Sequence, residues 1–283
     1  MAATTPGSHV ATWRGPGEAV CVRRGPLVVR LARDDGEVDA ALRLRYAVFA
    51  REKGCATPGE AGRDRDDFDA FADHLVAVDE GASGGARVIG TYRLLTAEAA
   101  RRGPGFYSAS EFALDDLPRC IAEDGVELGR ACVARDRRGG IALALLLAGV
   151  AQYVAHAGKR FLFGCASLPT LDAEEVAATL RELAARGAIA GDMLARARAT
   201  MRRAPARATC GGAGALVPSL LERYVQLGAR VCSEPAYDLA FGCTDLLVVL
   251  DTLGLARDAE RAEPGATRKS FARRLGAPGM ARA

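Results

Sequence analysis

Residues 126–143, "VELGRACVARDRRGGIAL", decide how this chain folds. An apolar run bearing Glu127 and Arg130 ends in a charged turn with two glycines, and that turn opens onto the most hydrophobic stretch of the sequence. "GVELGRACV" (125–133) reads as a strand. The apolar run from Gly140 reads as a helix that ends at Gly158, a residue suited to the left-handed position after a helix. A helix start leaves backbone N–H groups unpaired and carries about half a positive charge, so it draws anions. Arg137, Arg138, Gly140 and Ala142 fit R-x-x-G-x-A, in which glycine lets a phosphate approach the backbone and arginine adds charge-assisted hydrogen bonds. The same six residues also read as a charged turn in front of a buried helix.

Outward from this stretch the periodicity alternates between strand and helix. Upstream, "LVVRLA" (27–32) reads as a strand, and "EVDAALRLRYAVFAREKG" (37–54) as a helix with Val38, Ala41, Leu42, Tyr46 and Phe49 at helical spacing. "LVAVD" (75–79) and "VIGTYRLL" (88–95) form a predicted hairpin across "GGAR". Downstream come a strand at 159–167, helical residues 171–203, a Gly-rich break, a helix at 217–228, and strands "ARVCSEP" and "DLLVVLD" (245–251). The expectation is one α+β domain over residues 27–255, with a central mixed, mostly antiparallel sheet flanked by helices and a helical insertion at about 169–210. Residues 1–26, rich in Gly and Pro, are expected to be disordered, and 256–283 form a basic tail.

Composition narrows the function classes. Hydrophobic residues make up 49% and charged residues 26% of 283, which is globular rather than disordered. A net charge of +3 is too small to argue for nucleic acid, and aromatics do not interleave with the charges. The eight cysteines form no C-x-x-C pair, so neither a metal site nor a disulfide framework is expected. The apolar run at 141–155 is too short to span a bilayer. These features point to a cytoplasmic protein with reduced thiols.

Strand, R-x-x-G-x-A, then helix resembles the acyl-donor loop of the GNAT-like (acyl-CoA N-acyltransferase) fold. A wider set, "LRLRYAVFAREKG", "RDDFDAFADHL", "VIGTYRLL", "GFYSASEF", "ELGRACV", "LFGCAS" and "GARVCSEPAYDLAFGCTDLLVVLD", resembles in order the bacterial ornithine N-acyltransferases that make lyso-ornithine lipid. The match runs from about residue 27 to 253. The Arg…Phe, Asp-x-x-Asp, Arg-Leu-Leu and Glu-Leu-x-Arg skeleton also resembles acyl-homoserine-lactone synthases, from which the long second half departs. The resemblance implies transfer of a 3-hydroxyacyl group from the 4'-phosphopantetheine arm of acyl carrier protein to the α-amine of ornithine, with no bound cofactor or metal. Peripheral contact with the inner membrane is compatible with it. The alternatives are a lactone synthase using S-adenosylmethionine, an N-acyltransferase for another amino acid, and a carrier- or lipid-binding module without activity.

Particular residues carry the expected chemistry. Aminolysis of a thioester needs a neutral amine, and an α-amino group titrates near pH 8 or above, at about pH 7.7–8.0 in peptides. Glu127 is the candidate base; pairing with Arg130 is its structural alternative. Arg93, a charge among apolar strand residues, needs a partner such as Asp66 or Asp69, and the cluster either grips the amino acid or ties the first helix to the sheet. Arg45 and Phe49, one helical turn apart, would place a cation and a ring over the acyl or amine pocket, or Phe49 is core. His74 would orient a carboxylate or sit on the surface. Arg196, Arg198, Arg202, Arg203 and Arg207 form a basic stripe that would dock an acidic carrier or membrane, or simply face solvent.

Overall fold

Asp34 accepts a hydrogen bond from the Glu37 backbone N–H at 2.9 Å and so starts the first helix where the sequence turns from strand to helical spacing. The structure, a computed structural model, describes residues 20–56, 62–204 and 214–253. Strands β1 (Cys21–Arg24) and β2 (Leu27–Leu31) precede helix α1 (Asp35–Tyr46), which continues as a wider π-turn over Ala47–Glu52. Strands β3 (Asp73–Asp79) and β4 (Arg87–Thr96) form the expected hairpin. Short helices α2 (Ala97–Arg102), α3 (Ser108–Glu111) and α4 (Arg119–Glu123) lead to β5 (Gly125–Val133). Helix α5 (Ala142–Ala157) crosses to β6 (Phe161–Leu168). Helix α6 (Ala173–Ala185), helix α7 (Ser219–Gln226) and strands β7 (Arg230–Val231), β8 (Ala236–Asp238) and β9 (Cys243–Asp251) complete the described chain.

All the strands share one sheet in the order β1-β2-β3-β4-β5-β6-β9-β7, with β8 also on β9. The pairing is antiparallel except between β5 and β6, which run parallel. That parallel pairing lasts only from Gly125–Glu127 against Phe161–Phe163. Gly164 marks its limit: a Cβ there would stand 2.2 Å from the Leu128 carbonyl oxygen, so the strands meet backbone to backbone. Beyond it β5 stays with β4 and β6 stays with β9, and a wedge opens between them. Val133 ends β5 and leads through the glycine turn into α5, so the start of that helix lies at the wedge's mouth.

The sheet is buried on both faces in its second half. Phe161 and Phe163 join one apolar cluster with Phe112 and Ile121, while Leu162 between them joins the other with α5. Alternate residues of a strand face opposite sides, so β6 and β9 read as unbroken apolar runs. Helix α5 buries Leu145, Leu146, Ala148 and Tyr153, and ends as expected at Gly158 with a φ of +67°.

Two expected boundaries are corrected. The ordered sheet begins at Cys21, not residue 27: Val22 is buried and pairs with Val29, inside the stretch expected to be disordered. Among the described residues of the expected helical insertion, only α6 is α-helical. Ala188, Ala190, Ala195 and Ala197 are buried at alternate positions, and the segment forms isolated bridges with Val231, Ser233 and Phe112 before one tight turn at Ala199–Met201. Burial with a period of two overrode the helix propensity of an Ala/Arg/Leu-rich sequence. The arginines at 196, 198, 202 and 203 are exposed but make no helical stripe, and Arg196 pairs with Asp116 at 2.9 Å. Arg207 and the basic tail lie outside the described residues.

Candidate active site

Three arginines and three aspartates form a buried lattice beside the wedge. Arg45, fully buried, donates from Nε to Asp64 at 2.9 Å and from both terminal nitrogens to Asp69 at 2.7 and 3.1 Å. Arg93 reaches Asp66 at 2.5 Å and Asp69 at 3.3 Å. Arg130 lies 3.2 Å from Asp66 and 3.3 Å from Asp64. Each charge has partners of the opposite sign, which is what makes its burial tolerable. Burial alone would raise Asp69, but the charge and hydrogen bonds of Arg45, helped by the charge of Arg93, hold its carboxyl well below the usual range.

This geometry settles several expectations. Arg93 pairs with both Asp66 and Asp69, as anticipated. Arg45 is turned into the lattice and away from the cavity, whereas Phe49 does line the cavity. His74 is buried, and its Nε2 stands 3.2 Å from the Asp69 carbonyl oxygen, so it ties the main chain of that loop rather than a carboxylate or the surface. Burial lowers its pKa and keeps it neutral.

A bulge sets Arg130. Thr91 and Arg93 of β4 face Cys132 and Gly129 of β5, so β5 carries one extra residue here, and Arg130 adopts a φ of +50°. A non-glycine residue there is strained by about 1–3 kcal/mol, and something must hold it. The Arg130 guanidinium lies between the rings of Tyr107 and Phe241, at 4.9 and 5.2 Å from their centroids, and pairs with Asp64 and Asp66.

Glu127 makes no ion pair with Arg130. Its oxygens accept the backbone N–H groups of Tyr107 at 2.9 Å and Ser108 at 2.7 Å, fixing the start of α3. Burial raises its pKa, and those donors with Arg93 offset part of the rise. Glu127 and Tyr107 both line a cavity of about 730 Å³ that fills the wedge.

The cavity's mouth carries the glycine turn. Arg137, Arg138, Gly139 and Gly140 line it, and α5 starts there without a side-chain cap. Arg137 pairs with Asp79 at 2.7 Å and Arg138 with Glu52 at 2.8 Å, both half-exposed. Ala142 is buried and packs the helix start against the core. An anion would meet uncapped N–H groups and two arginines already steadied by carboxylates.

Sequence reading missed Asp64, Tyr107, Phe241 and a trio of buried carboxylates on the cavity wall, Glu111, Asp238 and Asp245. Carboxyl oxygens of the trio lie within 4.8 Å of one another, yet they come from α3, β8 and β9, and no local motif links them. Burial, then Asp245, pushes Glu111 up to about 8; burial likewise pushes Asp245 up to about 6, against a 2.6 Å hydrogen bond from Ser167. Cys165, also on the wall, is pushed up by burial and by Glu111 and Asp245, so it stays a thiol.

Residues 44–148 match the family model described as Acetyltransferase (GNAT) domain. The chain is 38% identical over 246 residues to the L-ornithine N(alpha)-acyltransferase of Rhizobium meliloti (strain 1021), covering 83% of each. It is 37% identical over 250 residues to the protein of the same name from Agrobacterium fabrum, covering 84% of this chain and 85% of that one. Among solved structures, a CoA-dependent acyl-homoserine lactone synthase with SAM and isopentyl-CoA aligns at 17% identity and a TM-score of 0.49, over 87% of this chain and 84% of that chain.

Proposed function

We propose a reaction from the premise that this chain belongs to the family of the L-ornithine N(alpha)-acyltransferases. The protein is an acyltransferase of GNAT fold. The reaction is transfer of a 3-hydroxyacyl group from acyl carrier protein to the α-amine of L-ornithine, the first step of ornithine lipid synthesis. The observation that carries this reading is the wedge between β5 and β6, lined by Glu127, Arg130 and Tyr107 and open at the glycine turn of α5.

In the wedge, the amine nitrogen attacks the thioester carbonyl; a C–N bond forms and the C–S bond breaks. Glu127 takes the proton that the amine must lose, through an oxygen lone pair not used by Tyr107 or Ser108. The departing sulfur takes up a proton. Tyr107, kept protonated chiefly by burial, faces the cavity and can supply it; its phenolate then takes a proton back as Glu127 gives one up, so that the net transfer is from amine to sulfur. The lattice of Arg45, Arg93 and Arg130 holds β5, α1 and the 64–69 loop at fixed spacing, which is how remote pairing serves orientation. The carrier's phosphopantetheine phosphate meets the start of α5 with Arg137 and Arg138. Among the described residues no helix is long and apolar enough to cross a membrane. The reading places the reaction in the cytoplasm, with peripheral contact where product enters the inner membrane.

Mass spectrometry tests this reading. Purified protein with 3-hydroxyacyl carrier protein and ornithine should give N-acyl-ornithine and free carrier thiol in equal amounts. Acyl-CoA serving equally well would overturn the carrier assignment. A lactone formed from S-adenosylmethionine, or no acylated amine, would overturn the reaction.

A further inference from the structure

We infer that Glu111, Asp238 and Asp245 form the pocket for the side-chain ammonium of the amino-acid acceptor, so that they select a cationic acceptor over a neutral one. The inference rests on the acceptor reading above and adds the residues that would decide specificity.

The trio lies on the wall of the cavity that holds Glu127 and Arg130. Glu111 is 1% exposed, and neither of its carboxyl oxygens accepts a hydrogen bond of ordinary geometry, although the neutral Cys165 thiol and Tyr107 hydroxyl face it closely enough to offset part of the rise that burial causes. A buried carboxyl left this way is costly unless a ligand completes it. Its two neighbours are anchored. Asp238 accepts the backbone N–H groups of Ala240 and Phe241 at 2.9 and 3.0 Å. Asp245 accepts from the Ser167 hydroxyl at 2.6 Å and faces the Cys243 thiol at 3.5 Å. The other titratable groups here are Tyr107, Cys165 and Cys243, all neutral, and Arg130, whose charge is engaged by Asp64 and Asp66. No arginine, lysine or histidine among the described residues forms an ion pair with the trio.

The missing partner is therefore a cation, and its shape follows from the acceptors. A primary ammonium carries three N–H donors. With charged hydrogen bonds of about 2.8 Å and tetrahedral angles, its three acceptors stand roughly 4.6 Å apart. The trio's oxygens lie within 4.8 Å of one another. A neutral alkyl end would leave Glu111 buried without its partner and the trio without a cation, and sites built to bind a polar group reject analogues lacking it by about 10,000-fold or more.

The test compares ornithine with norvaline, which has the same carbon chain without the terminal amine, using wild type, Glu111→Gln and Asp245→Asn. Wild type should favour ornithine in kcat/KM by at least 100-fold. Each variant should cut that preference at least tenfold, mainly through KM for the amino acid, with KM for the acyl donor moving less than twofold. Calorimetry with propylammonium at millimolar concentration reads the trio without turnover. Wild type should bind it with release of protons, and Glu111→Gln should not. If ornithine is acylated but neither its preference nor propylammonium binding depends on Glu111, the pocket assignment falls and the reaction stands. If propylammonium binds through Glu111 but no amino acid is acylated, the acceptor reading falls and the cation pocket stands. Magnesium or calcium binding that outcompetes propylammonium and is needed for turnover would make the trio a metal site and overturn the inference.

Discussion

The Arg130 guanidinium sits 4.9 Å from the centroid of the Tyr107 ring, while the Tyr107 backbone N–H is held 2.9 Å from Glu127. Two residues three apart on β5 thus grip one tyrosine from opposite ends, the ring by its face and the main chain by its donor. Arg130→Lys keeps the charge but loses the planar group that fits between Tyr107 and Phe241 and meets two carboxylates. We expect kcat/KM to fall at least tenfold and stability by about 1–3 kcal/mol, read by steady-state kinetics and thermal melting. Wild-type values in both would mean that the stack contributes nothing.

Arg45 should behave differently, because it meets only the lattice. Arg45→Met leaves Asp64 and Asp69 buried without their main cation. Removing one partner of a buried pair costs about 3–5 kcal/mol. Melting should report that loss directly, and Phe49→Ala, on the cavity wall, should instead raise KM for a substrate with a smaller effect on melting. A reversed pattern would put Arg45 in the site after all.

For Glu127 the structure alters what a Gln substitution means. Both carboxylate oxygens accept backbone N–H groups, and a Gln amide offers one acceptor and one donor, so one N–H at the start of α3 is left facing a donor. Glu127→Gln should therefore lose about 1–3 kcal/mol of stability and, if Glu127 is the base, about 100- to 10,000-fold in turnover. Only the second loss should shrink as pH rises, since more amine is then already neutral. Turnover measured from pH 7 to 9.5 separates them: a deficit that is constant with pH assigns Glu127 to anchoring Tyr107 and Ser108.

The glycine turn is tested by Gly140→Val. A Cβ at Gly140 meets nothing closer than the Arg137 carbonyl oxygen at 3.5 Å, so the fold accepts a side chain there. A phosphate lying against the turn would not. KM for the acyl donor should rise about tenfold or more, at unchanged melting temperature, if the phosphate contacts backbone there. An unchanged KM removes Gly140 from the donor site.

What the sequence disclosed has a physical boundary. Arg93 stood out because a charge among apolar strand residues needs a partner, and "DDFD" supplied one; Glu127 and Arg130 stood out as charges leading into a glycine turn. Strand, turn, apolar helix and strand were legible in succession, whereas the parallel pairing of β5 with β6 across α5 is what the structure adds. Asp64 was invisible because one more acid in an acidic loop carries no signal, and the bulge at Arg130 because a left-handed residue is expected to be Gly. Glu111, Asp238 and Asp245 share no spacing at all: β8 pairs with β9, and Glu111 arrives on α3, whose start is held by Glu127 of β5. The extended stretch after α6 was misread because its alternation rests on alanines, which count equally towards a helix.

The trio also makes a prediction that needs no substrate. Glu111 is pushed from an ordinary 4.5 to about 8, first by burial and then by Asp245. A carboxyl raised on folding stabilises the protein fully below its unfolded value, and that stability is lost as pH rises through the folded value. The loss runs at most at about 1.4 kcal/mol per pH unit for one group. Asp245, pushed up to about 6, spends its share at lower pH, though its titration is linked to that of Glu111. His74, lowered by burial, acts in the opposite sense, but the unfolded imidazole is already half neutral at about pH 6.5, so only about 0.4 kcal/mol of its effect remains above that. Asp69, held low by Arg45 against its burial, contributes a constant amount there. In the interval from pH 6.5 to 8 Glu111 acts together with Glu127, raised by burial in the same sense, and the difference between wild type and Glu111→Gln isolates the share of Glu111. Wild-type melting temperature should decline across it, and Glu111→Gln should lessen the decline; above pH 8 buried thiols such as Cys132 and Cys165, pushed up by burial, carry the decline on in both proteins. Millimolar ornithine should flatten it as well, because a bound cation stabilises the ionised carboxyl. Calorimetric melts at pH 6.5, 7.2, 8 and 9 decide the matter: parallel curves for wild type and Glu111→Gln would show that Glu111 is already ionised at pH 6.5, and that its burial beside Asp245 does not tie its proton to the fold.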